Sequence, residues 1–78
     1  MNINHVTTES FEFSHGRKPR GRGYWYFHML GPGRRTELEL FLPITKDGRS
    51  NLFYTEAKRL ALKHANSLAG CSAVRLGP

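Results

Sequence analysis

The chain predicts an α+β domain: a small twisted, mainly antiparallel sheet in the order β-β-β-α-β, with one helix packed on one face. Three observations carry this prediction. Short segments alternate polar and apolar residues before Pro43. Clusters of glycine, proline and charge punctuate them. One later stretch, and only one, repeats its apolar residues at helical spacing. The 78 residues suffice for a single core, and at this size that core supplies only a few kcal/mol of stability. Residues 1–8 are polar and irregular and read as a flexible N-terminal arm; residues 9–78 form the domain.

The first element is Phe11-Glu12-Phe13-Ser14, whose period of two predicts a short strand. His15 to Gly23 follows, with four cations (Arg17, Lys18, Arg20, Arg22) and three glycines in nine residues. Such a segment cannot bury itself, because its charges demand water and its glycines and proline interrupt regular structure. It predicts a long cationic loop. Tyr24 to Leu30 is the strongest strand signal, with Trp25, Phe27 and Met29 on one face and Tyr24, Tyr26 and His28 on the other. Gly31-Pro32-Gly33-Arg34-Arg35 is turn chemistry. Thr36 to Leu42 alternates again, predicting Leu38, Leu40 and Leu42 inward and Glu37, Glu39 and Phe41 outward, in a hairpin with the preceding strand.

Pro43 ends that pairing, and Lys46-Asp47-Gly48-Arg49 predicts a second tight turn. Thr55 is the expected N-cap of the helix, with Glu56 in its first turn. Ala57, Leu60, Ala61, His64, Ala65 and Leu68 form one apolar stripe, and Arg59 and Lys63 lie opposite. Gly70 stands where a left-handed residue would stop the helix. A helix of roughly 14 residues spans about 21 Å, enough to cover a small sheet. Cys71 to Leu76 then closes the sheet, parallel to the third strand through a right-handed crossover, with Val74 and Leu76 inward.

Composition narrows the classes of function. Twelve Lys/Arg against six Asp/Glu give a net charge of +6, which favours nucleic acid, a nucleoprotein or an acidic protein surface as partner. No run approaches the roughly 18 apolar residues of a membrane span, and no charged-then-apolar leader opens the chain. A cytoplasmic protein with no membrane association is expected. Cys71 is the only cysteine, which excludes an internal disulfide and a multi-cysteine zinc site. His5, His15, His28 and His64 include no pair at ligand spacing and no accompanying carboxylate cluster. No metal, no cofactor and no catalysis are expected. A nucleophilic Cys71–His64 pair lacks any marked oxyanion site, and a histidine-based RNase ranks last.

In an antiparallel meander the first loop and the connection into the helix lie at one end. Arg17, Lys18, Arg20, Arg22, Lys46 and Arg49 are therefore expected to share a pole with the positive end of the helix, a site for phosphate or a protein partner. Arg34 and Arg35 fall at the opposite end. Tyr24, Tyr26 and Phe41 form the expected aromatic contact face, where Glu37 and Glu39 would repel a phosphate backbone. That face suits a protein contact or a weak homodimer as well as bases.

Two family resemblances attach to particular residues. Gly23-Tyr24-Trp25-Tyr26-Phe27, a further strand, and Tyr54-Thr55-Glu56-Ala57-Lys58-Arg59-Leu60-Ala61 resemble the three-stranded-sheet-plus-helix arm-binding domains of phage integrases over residues 23–65. The resemblance implies a sheet laid in a DNA groove, and Glu37 and Glu39 depart from it on that face. Thr55-Glu56-Ala57-Lys58-Arg59-Leu60-Ala61 with Gly70-Cys71-Ser72-Ala73-Val74-Arg75 is similar to the strand-helix-strand module of basic type I anti-CRISPR proteins, over the last third of the chain. This second resemblance implies a non-enzymatic phage-type inhibitor in the host cell cytoplasm. Such an inhibitor binds a host nucleoprotein complex, the type I CRISPR surveillance complex (Cascade), and blocks its target DNA. A sequence-tolerant DNA-binding module is the alternative expectation.

Overall fold

A computed structural model describes residues 2–78. Its elements are β1 (Val6–Thr7), α1 (Glu9–His15), β2 (Arg22–Tyr24), β3 (Phe27–Leu30), β4 (Glu37–Phe41), β5 (Asn51–Phe53), α2 (Tyr54–Ser67) and β6 (Ala73–Leu76), with a 3-10 turn at Pro32–Arg34. The class is α+β, as expected, but the strands divide into two sets. A four-stranded sheet has the order β1-β6-β3-β4, and β2 and β5 form a separate two-stranded ribbon. Three pairings (β2–β5, β3–β4, β3–β6) are antiparallel, and β1–β6 is parallel. β6 does run in the direction of β4, but β3 lies between them.

The core follows the predicted alternation closely. Trp25, Phe27 and Met29 are buried, and Val74 and Leu76 of β6 join them. α2 covers this face with Ala57, Ala61 and Ala65, each almost fully buried. Small side chains let the helix approach the sheet closely, so the bulk of the core comes from the sheet side. The predicted single strand from Tyr24 to Leu30 is nevertheless broken at Trp25-Tyr26. The Trp25 indole Nε1–H donates to the Leu52 carbonyl at 2.9 Å, and the Tyr26 carbonyl accepts from Gly77 N–H at 2.8 Å. The chain thus changes partners without losing its two-residue rhythm.

Four expectations are corrected. Phe11 to Ser14 is not a strand: Thr8 stands at the N-cap, its hydroxyl bonded to the Glu12 carboxylate, and Gly16 caps the C-terminus at φ 69°. The helix buries Phe11 and leaves Phe13 exposed, since residues two apart lie nearly opposite on a helix. Of the expected arm, residues 1–8, the described residues 2–8 are not wholly loose. Val6 is buried and Val6–Thr7 pairs with Val74 and Arg75. The Asn66 side chain adds a clasp, accepting from Ile3 N–H (2.7 Å) and donating to Ile3 C=O (2.8 Å).

The inward face of β4 is also reversed. Phe41 pairs with Phe27 and Glu39 with Met29 on the helix-covered side, whereas Leu40 pairs with His28 and is exposed. A bulge between Met29 and Leu30 then sets Glu37 opposite Leu30, so Glu37 and Glu39 do not share a face. The helix supplies the reason: His64 stacks flat on Phe41 (4.2 Å, 4°) and its Nε2 bonds Glu39. Finally, α2 starts at Tyr54, with Phe53 rather than Thr55 at the N-cap, and ends with Leu68 as C-cap; Gly70 takes a positive φ in the turn beyond.

Candidate functional site

The cationic loop is anchored at both ends. Gly16 and Gly21 hold φ of 69° and 82°, backbone conformations that suit glycine. The Gly21 carbonyl accepts from Tyr54 N–H at 2.9 Å, which ties the loop's exit to the first turn of α2. β2 then pairs with β5, with Arg22 opposite Phe53 and Tyr24 opposite Asn51. This alternation turns Gly23 and Leu52 toward the core and leaves Arg22, Tyr24 and Phe53 on the exposed side of the ribbon.

Arg22 is held rather than loose. One guanidinium N–H donates to the Asn51 carbonyl at 3.2 Å, and its Cζ sits 4.3 Å from the centre of the Phe53 ring. A cation over an aromatic face is attracted by the ring's quadrupole. The remaining N–H donors of the fork stay available to a ligand.

Arg17, Arg20 and Arg22 line one open cleft of about 330 Å³, whose other walls include His15, Tyr24, Trp25, Tyr26, Gly77 and Pro78. No aspartate or glutamate side chain lines it. Nor do Arg17, Lys18, Arg20 and Arg22 form any ion pair with a described carboxylate; the ion pairs are His28–Glu37, Arg49–Asp47 and His64–Glu39. A concave site with three unpaired guanidinium groups is strongly attractive to an anion.

The six predicted cations therefore separate. Arg17, Arg20 and Arg22 converge. Arg49 shares an adjoining hollow with Arg22 and Tyr24, so it extends the same surface. Its charge is partly spent on Asp47, whose Oδ2 lies 3.2 Å from Arg49 Nε. The hydroxyl of Thr45 is the main cause that holds the Asp47 carboxyl below the usual carboxylate range, with the Arg49 charge contributing. Lys18 is exposed on the loop but outside the cleft lining. Lys46 falls in a different hollow, with Arg59 and Lys63 of α2, because the Thr45–Arg49 turn projects it along the helix rather than toward the ribbon.

The aromatic set divides too. Tyr24 and Tyr26 are 62% and 46% exposed and border the cleft. Phe41 belongs to the helix-covered side of the sheet, where it packs on His64, and is not part of this surface. Of the two glutamates expected on the face of the tyrosines, Glu39 is turned to the helix-covered side, where it bonds His64, while Glu37 stays on the outer face bonded to His28. Neither lines the cleft. Phe53 and His15 were missed by sequence reasoning. The alternation of Asn51-Leu52-Phe53 ahead of the helix was the available signal for Phe53, and the Thr8 to Gly16 cap pair for His15.

The remaining chemistry-bearing side chains are engaged apart from one another. His64 is occupied by Phe41 and Glu39, while the Cys71 thiol donates to the Ala73 carbonyl at 3.5 Å. Among the described residues no three His, Cys, Asp or Glu side chains gather as a metal site, and no helix is long and apolar enough to cross a membrane. Comparison with protein-family models, with curated proteins and with solved structures finds no match to this chain.

Proposed function

We propose that this protein is a non-enzymatic binding module that docks on a host nucleoprotein complex through the arginine cleft and the outer side of the β2–β5 ribbon. In its sharpest form it is a phage-type inhibitor of a type I CRISPR surveillance complex, obstructing the path of target DNA. The observation that carries this reading is the convergence of Arg17, Arg20 and Arg22 on a cleft without a carboxylate side chain. Arginines that form no ion pair within their own chain suit an acid or phosphate on another molecule. Exposed aromatics beside them fit the composition of interface hot spots.

A second reading has its own support. A two-stranded antiparallel ribbon is one of the shapes that the major groove of B-DNA admits, and β2–β5 carries Arg22, Tyr24 and Phe53 on its exposed side. On this reading the module grips bare duplex.

One variant, with Arg17, Lys18, Arg20 and Arg22 all changed to Ala, tests both. Because these side chains are exposed, its melting temperature should stay within a few degrees of wild type. Binding to a purified type I surveillance complex should fall by two orders of magnitude or more, since removing each charge-assisted hydrogen bond costs roughly 1 kcal/mol or more. Tight binding of wild type to bare duplex at physiological salt, abolished in the variant, would favour the groove reading. Undiminished binding of the variant to both targets would remove the arginine surface from the function.

A further inference from the structure

We infer that the cleft receives one unpaired nucleotide of a single-stranded RNA or DNA, its base against the Tyr24 or Tyr26 ring and its phosphates on Arg17, Arg20 and Arg22. The inference rests on the reading above and specifies what its arginine surface grips.

Two features of the cleft select this ligand over other anions. The first is shape. At about 330 Å³ the cleft lies at the lower end of small-ligand sites and is concave. A surface that only tracks a phosphate backbone needs no such hollow. The second is the pairing of charge with uncovered rings. Tyr24 and Tyr26 are large aromatics left open to solvent that line the same cleft as three arginines free of ion pairs. An acidic protein loop would satisfy the arginines and leave the rings bare, whereas a nucleotide offers a π-face and an anion a few ångströms apart.

A base still paired within a duplex does not fit the same geometry. Its faces are covered by neighbouring base pairs, and only its edges reach the grooves. Stacking on tyrosine requires an unstacked base, as single strands and looped-out nucleotides provide. Arg22 is preset for this task, since its interactions with Asn51 and Phe53 fix the guanidinium next to Tyr24.

The test is fluorescence anisotropy of the purified protein at physiological salt, with a labelled oligo(U) and a labelled oligo(dT) of about ten nucleotides. A duplex of the same length is run beside them. Each strand should bind at least about tenfold more tightly than the duplex. Tyr24→Ala combined with Tyr26→Ala should weaken single-strand binding roughly tenfold or more, the effect expected when a stacked base is deprived of its platform. Tyr24→Phe should keep it. Arg17→Ala with Arg20→Ala should weaken single-strand and duplex binding alike. Tyr24 lies outside the core, so Tyr24→Ala alone carries the test if the double variant melts early.

Equal affinity of wild type for strand and duplex overturns the nucleotide site, and so does a folded tyrosine variant that binds single strands as wild type does. Those failures leave the broader reading standing whenever the arginine variant still fails to bind the surveillance complex. Retention of that complex by the arginine variant counts against the broader reading on its own.

Discussion

Tyr54 stands in a row of rings that joins the site to the core. Phe11 lies 5.5 Å from Trp25, Trp25 lies 5.0 Å from Tyr54 at 62°, and Tyr54 lies 6.5 Å from Phe27. Tilted and edge-on pairs such as Phe11–Trp25 and Trp25–Tyr54 contribute about 0.5–1.5 kcal/mol each beyond their buried area. Trp25 adds its indole bond to Leu52, worth about 1 kcal/mol net. Position 54 has a consequence for pH. Burial pushes the Tyr54 phenol above its ordinary value of 10.0, so the folded state holds this proton more tightly than the unfolded chain. The resulting stability is fully present below pH 10 and is lost as pH rises through the raised folded value. Melting temperature measured from pH 8 upward should therefore fall more steeply above pH 10 in wild type than in Tyr54→Phe. Parallel profiles would show that the phenol is not protected by the fold.

The α2 helix is built to lie close. Ala57, Ala61 and Ala65 face Phe27, Met29, Val74 and Leu76, all almost fully buried. His64 and Asn66 on the same helix hold two edges of the sheet, His64 through Glu39 and Phe41, and Asn66 through Ile3. The Asn66 clasp positions the chain just ahead of β1, a strand of only two residues with few bonds of its own. Asn66→Ala should cost about 1–2 kcal/mol, since water can replace the two hydrogen bonds to Ile3 only in part. Amide hydrogen exchange in Val6–Thr7 should accelerate while exchange in β3 keeps its protection relative to global unfolding. Uniform acceleration throughout the sheet would instead make β1 part of the cooperative core.

The molecule is a slab of 32 × 30 × 18 Å, a thickness that one sheet and one helix layer fill. Among the described residues no helix covers the side of the sheet away from α2, and the ribbon, packed on the core through Leu52, turns its one cation, Arg22, outward. A net charge of +6 draws anions to the whole surface, and the cleft with the neighbouring Arg49 concentrates it without an acidic side chain in the cleft lining, whereas the hollow of Lys46, Arg59 and Lys63 also holds Glu56. The dependence on salt follows from that concentration. If three or four arginines neutralise phosphates, log K for a single strand should fall against log salt with a slope of about −2 to −3. A slope nearer −6 would mean that cations all over the surface take part, and one near zero that the interaction is not ionic.

How much of this was legible depends on which forces were local. The α+β class, the burial of Trp25, Phe27 and Met29, the single long helix with its alanine face and the Thr45–Arg49 turn all follow from short-range periodicity and turn chemistry. The cationic loop beside the start of α2 was legible as well, because four charges and three glycines in nine residues allow no buried course. Partner choice was not. The two-residue rhythm from Arg22 to Leu30 is the same whether one strand continues or two join different sheets, and Trp25 bonding to Leu52 decided the break. Likewise Glu37-Leu38-Glu39-Leu40-Phe41 offers an apolar face either way. The stack of Phe41 on His64 and the Glu39–His64 bond, made across 23 and 25 positions of chain, turned it over. Sequence determined which residues were charged, aromatic or buried in alternation; tertiary contacts alone decided which arginines meet which rings, because both depend on pairings between segments distant in the chain.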